Sequence, residues 1–182
     1  MLTEDLIRGL CPHARDEYVK ALVSGTATLE KWGFNTPMRV AHFLAQCLHE
    51  TLSLTIVRES MTYTTSTRLA AVWPSRFNVA SATRFLRKPV ELAENVYGAR
   101  MGNERDGVGD GDGYRYRGGG LPQFTGYDNY VAIGRKIGVD LGNHPELIED
   151  SNVSLAAAAA EFSAFLPSVG VSVSFASTAS SM

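Results

Sequence analysis

Cysteine, net charge and long apolar runs are all scarce in this chain of 182 residues, and each scarcity removes a class of function. The two cysteines, Cys11 and Cys47, form neither a metal-ligand spacing nor a disulfide framework, and Cys47 falls where a helix would bury a reduced thiol. The formal net charge of −2 gives no general attraction to nucleic acid or to anionic membranes. A basic stretch (Arg76, Arg84, Arg87, Lys88) reads as a solvated helix face. No run is long and apolar enough to cross a bilayer, so stable membrane insertion is not expected. The first residues, MLTEDLIRGL, lack a basic region followed by an apolar one. The expectation is synthesis in a cytoplasm without a signal peptide, with any extracellular work needing a separate export route.

Hydrophobic residues make up 45% and charged residues 20%, which suits one soluble globular domain with a real core. Helical patterning dominates. Thr3 caps a short helix carrying Leu6, Ile7 and Leu10, and a second helix is expected from Ala14 to Trp32, closed by Gly33. Thr36 and Pro37 open a third, with Val40, Phe43, Leu44, Cys47 and Leu48 at helical spacing, expected to be largely buried and to end near Ser53. Residues 54–65 are rich in β-branched types and read as extended or as a short hairpin. Further helices are expected over Ser66–Trp73, Ala80–Leu86, Pro89–Gly98, Tyr127–Ile137 and Asn152–Phe165. Between them, residues 102–120 are too dense in glycine for a regular element and read as a long loop, functional or disordered. After Glu161 there is no charged side chain. We therefore expect a single domain over 1–165 and a frayed or marginally stranded serine-rich tail over 166–182.

Two carboxylates stand out. Glu50 lies in the last turn of the third helix beside His49, where the negative end of the helix dipole and partial burial would both favour the protonated form that a general acid needs. From position alone, a glutamate that merely faces water is the alternative. Glu59 follows nine residues later, and a chain reversal would set it across a cleft about 6–10 Å away, the range of an inverting glycosidase pair. A salt bridge to Arg58 is its alternative. Other chemistries fail on residue identity. His49-Glu50 starts a zinc-type HExxH, but Ser53 stands where the second histidine is needed. Residues 106–121 offer no closing carboxylate for a calcium loop, and the glycine-rich stretch lacks a P-loop lysine. The expected metal set is none and the expected cofactor set is none.

Four stretches taken in order resemble glycoside hydrolase family 19, the chitinase family with a lysozyme-like fold. They are FLAQCLHE (43–50), Arg58-Glu59 with Tyr63, NVYGARMGN (95–103) and YRGGGLPQFTGYDNY (116–130). The likeness spans about residues 36–160 and is nearest to compact phage and prophage endolysins. It implies a mainly α, lysozyme-like α+β fold with a small β element beside the catalytic helix. It further implies Glu50 as general acid, Glu59 as base and Thr125 as a holder of the attacking water. Gln123, Asn129 and Tyr130 match positions lining the sugar cleft; Tyr63, His49 and Arg100 are further candidates, with Arg100 pairing to a carboxylate. Local hydrogen bonding is the alternative for Gln123 and Asn129, and core packing for Tyr130.

The partner implied is peptidoglycan or a chitin-like polysaccharide, with no nucleic acid, handled by a monomer. A chitinase and a non-catalytic glycan-binding relative are the competing functions. One departure is Gly119, where the family has arginine, so that a cleft contact or loop anchor is expected to be missing.

Overall fold

A computed structural model describes residues 2–169, so most of the serine-rich tail, from residue 170 on, lies outside the described residues. The architecture is mainly α. In chain order it comprises α1 (Glu4–Leu10), α2 (Asp16–Ser24), α3 (Thr26–Lys31), α4 (Pro37–Glu50), α5 (Ser66–Val72), α6 (Val79–Ala82), α7 (Pro89–Tyr97), α8 (Asp112–Arg115), α9 (Tyr127–Ile137) and α10 (Ser151–Phe162), with short 3-10 turns at 83–85, 145–149 and 163–169.

The helix starts follow their capping residues. Thr3, Thr36 and Thr65 each accept a backbone N–H in the first turn of α1, α4 and α5, and Asp150 does the same for α10. Some boundaries differ from the sequence reading. The helix expected over Ala14–Trp32 is broken at Gly25, where Leu155 of α10 leaves no room for a side chain. On α1 only Ile7 is buried, while Leu6 and Leu10 are exposed. On α4 one face is buried (Phe43, Leu44, Cys47) and the other is open, so the helix is amphipathic, not largely buried.

Three cores organise the molecule. The first joins α1–α4 to α10, whose alanines 157–160 let neighbouring helices approach closely. A second, smaller core lies under α5–α7 and contains Leu69, Phe85, Leu92 and Tyr97. The third stacks Tyr116, Tyr127 and Tyr130 edge to face between α8, α9 and α10. The expected small β element is reduced, among the described residues, to isolated bridges: Arg58 with Gly119 and Gly119 with Phe124. Residues 51–55 form a turn where the last residues of the third helix and the start of the extended segment were expected, since Leu52, Ser53 and Leu54 are all left-handed (φ 47°, 62° and 64°).

The glycine-rich stretch is a built loop. The Glu94 carboxylate of α7 accepts the N–H groups of Gly109 and Tyr114 at 3.2 and 3.3 Å. Arg105 pairs with Asp112 and lies 3.6 Å from the Tyr127 ring centroid.

Candidate active site

The site forms where these cores meet. Glu50 is the last residue of α4, and the left-handed turn after it reverses the chain. Buried Thr51 holds that turn by donating to the Cys47 carbonyl (2.6 Å) and accepting from Leu54 N–H (2.9 Å). Glu50 itself is exposed, so the partial burial expected for it is not found. Beneath it Cys47 is fully buried, and desolvation, with a smaller contribution from the Glu50 charge, pushes its thiol far up. His42, Gln46 and Glu50 recur at four-residue intervals along the open face of α4. His49 is exposed next to Glu50.

Glu59 is half-buried and held on both oxygens. The Tyr97 hydroxyl donates to Oε1 at 2.9 Å and lies 3.2 Å from Oε2, which also accepts Gly118 N–H at 3.2 Å. Its backbone is fixed as well, by Glu59 N–H to the Gly118 carbonyl (2.8 Å) and Arg117 Nε–H to the Glu59 carbonyl (3.0 Å). The alternative of a salt bridge to Arg58 is not what the structure shows. Arg58 points the other way, 3.6 Å from Glu149 and donating to the Tyr130 hydroxyl and the Arg115 carbonyl at 2.8 and 2.6 Å. Burial and the adjacent Glu59 charge push the Tyr97 phenol well above the ordinary tyrosine range, so it remains a donor.

Gln123, Thr125 and Asn129 come together with Gln46 in a cavity of about 640 Å³ between α4, α9 and the end of α10. Its floor is apolar, including Phe34, Phe43 and Phe124. Gln123 has left-handed backbone (φ 52°) and donates to the Gly120 carbonyl at 2.9 Å, while Asn129 donates to the Thr125 carbonyl at 2.7 Å. The local hydrogen bonding set out as an alternative for these two amides is therefore present, on residues that also face the cavity. A methyl group at Gly118 would stand 3.1 Å from Gln123 Oε1 and 3.3 Å from Glu59 Oε2. Gln123 and Glu59 thus flank one glycine, and neither Glu50 nor Glu59 lines the cavity.

Three expectations need correction. Tyr130 is fully buried and lines no cleft; its hydroxyl accepts from Arg58 and donates to the Arg117 carbonyl. Among the described residues Arg100 pairs with no carboxylate: its guanidinium lies 5.1 Å from the Tyr97 ring centroid. Gly119 leaves no gap, because a Cβ there would come within 2.7 Å of Arg58 Nη1 and 2.5 Å of the Tyr130 hydroxyl. Tyr63 is half-buried and packs against the second core, near Tyr97.

Two contributors escaped the sequence reading. Tyr97 was visible only as part of the NVYG stretch, with nothing to place it opposite a glutamate 38 positions away. Asn103, fully buried, donates to the Tyr97 carbonyl (3.0 Å) and accepts Tyr127 N–H (2.9 Å), so it ties the end of α7 to the start of α9.

No family model matches the chain. A glycosyl hydrolase family 19 domain-containing protein of Haemophilus influenzae is 34% identical over 144 residues, covering 78% of this chain and 68% of that protein. Likeness of that degree and extent, across the stretches that hold Glu50, Glu59 and Thr125, shows that the chain belongs to glycoside hydrolase family 19.

Proposed function

We propose that the chain is an endolysin-type hydrolase that cuts β-1,4 bonds in the glycan strand of peptidoglycan by single displacement with inversion. Glu50 protonates the departing glycosidic oxygen. Glu59 removes a proton from a water that attacks the anomeric carbon on the opposite face, and Thr125 helps to hold that water. The observation that carries this reading is the state of Glu59. Its carboxylate is held by two neutral donors and is not paired with an arginine, which leaves it oriented and with acceptor capacity to spare. Glu50 meets the complementary need, since its exposed position at the end of α4 gives it access to a bound chain. The amides of Gln46, Gln123 and Asn129 suit the acetamido and hydroxyl groups of an amino-sugar polymer.

Glu50→Gln should abolish turbidity clearing of permeabilised bacteria while leaving the circular dichroism spectrum unchanged. Retained clearing would overturn the assignment. Mass spectrometry of digested peptidoglycan identifies the bond from the new reducing-end sugar. Soluble chitin oligomers digested in parallel separate a peptidoglycan hydrolase from a chitinase. Binding of glycan fragments without any new reducing ends would identify a non-catalytic relative.

A further inference from the structure

We propose that Tyr97 is a positioning residue for the base, fixing the Glu59 carboxylate through its hydroxyl, with the Arg100 guanidinium stacked on its ring to hold that ring in place. This inference rests on the reading of Glu59 as the base. Tyr97 reaches Glu59 from a different core than the one that carries Glu50, so the contact sets the geometry of one side of the cleft against the other. The ring is almost fully buried, 7% exposed, with Trp73 edge-on at 5.9 Å between centroids. Asn103 fastens the Tyr97 backbone carbonyl from below. A ring clamped on those sides has little rotational freedom, and its hydroxyl is directed at the Glu59 carboxylate.

The division of labour on the carboxylate is specific. Tyr97 is nearer Oε1, at 2.9 Å, than Oε2, at 3.2 Å, and Gly118 N–H takes Oε2 at 3.2 Å, so that two donors orient the carboxylate and leave lone-pair capacity for water. Without the phenol, the carboxylate keeps its charge but loses one of the two donors that define its plane. A base that wanders by an ångström loses rate without losing substrate affinity.

The test compares initial rates on solubilised peptidoglycan and on chitin oligosaccharides for Tyr97→Phe, Glu59→Asp, their double variant and Glu59→Gln. Tyr97→Phe should lower kcat by about 10- to 100-fold and leave KM within about twofold. In the Glu59→Asp background the same change should cost much less, because the shortened carboxylate no longer reaches the phenol. An unchanged kcat, a loss confined to KM, or an equal loss in both backgrounds overturns the positioning role, and inactivity of Glu59→Gln then leaves the base reading standing. Wild-type activity of Glu59→Gln overturns the base reading itself. If Tyr97→Phe does not fold, exposed Arg100→Ala carries the test. A fall in kcat of about two- to fivefold at constant KM supports the role, and an unchanged kcat overturns it.

Discussion

At position 119 a single missing side chain decides how a whole loop is built. The Cβ direction of Gly119 is filled by Arg58 Nη1 and the Tyr130 hydroxyl, and Ile148 closes the third side at 3.0 Å. A guanidinium therefore does stand at this place, delivered from position 58 and not from 119. Gly119 also exchanges two backbone hydrogen bonds with Phe124, both 2.9 Å, which close the turn that presents Gln123. Overpacking a site this tight forces its neighbours to move, and here the neighbours are the arginine next to Glu59 and the tyrosine that anchors it. We expect Gly119→Ala to destabilise the fold by about 1–3 kcal/mol in chemical denaturation. A variant as stable as the parent would show that the loop yields freely.

At the scale of elements, the reversal after α4, which separates Glu50 from the segment carrying Glu59, is made with strained backbone. The helix stops in a left-handed turn closed by Ser53 N–H to the Leu48 carbonyl (2.7 Å), a stop that usually places glycine at its left-handed position. Here three non-glycine residues adopt that conformation in succession. Each left-handed L-residue costs roughly 1–2 kcal/mol. Burial of Leu54 and Thr51 and the hydrogen bonds of Thr51 offset it. Ser53 is exposed and contributes no side-chain contact to that balance. Ser53→Gly should accordingly stabilise the protein by about 0.5–1 kcal/mol, the relief of strain exceeding the entropy glycine adds to the unfolded chain. Thermal unfolding measures it, and a lowered midpoint would mean that the turn is not strained at 53.

For the molecule as a whole, the buried tyrosines are expected to add to the loss of stability at alkaline pH. Burial pushes Tyr18 and Tyr130 up to about 12, from an ordinary value of 10.0. A folded-state value above the unfolded one means that the native state binds more protons in that window. The stability tied to these groups is then complete below about pH 10 and is lost as pH rises from there toward 12. Denaturant midpoints should stay level with respect to these groups up to about pH 9 and fall between 10 and 12. Tyr130→Phe keeps the ring and removes the ionising group. It should flatten part of that fall while loosening Arg58, which loses its hydroxyl acceptor.

Capping residues and helical spacing determined most of the helices, because a threonine before an N-terminal turn and an apolar stripe act locally. Motif order was enough to indicate the family, and it made Glu50, Glu59 and Thr125 the candidates. What the chain could not disclose locally depends on contacts between distant segments. Helices α2 and α3 separate at Gly25, where Leu155 of the distant α10 fills the space a side chain would take. Helix α4 stops at Glu50, not near Ser53, through a left-handed turn with no glycine to announce it. Tyr130, Arg100 and Gly119 changed their assigned parts for the same reason. A buried ring, a cation over a ring and a filled Cβ direction are properties of neighbours, not of the residues themselves. Tyr97, brought to Glu59 by the packing of a second core, is the clearest case of a contact that only tertiary structure could decide.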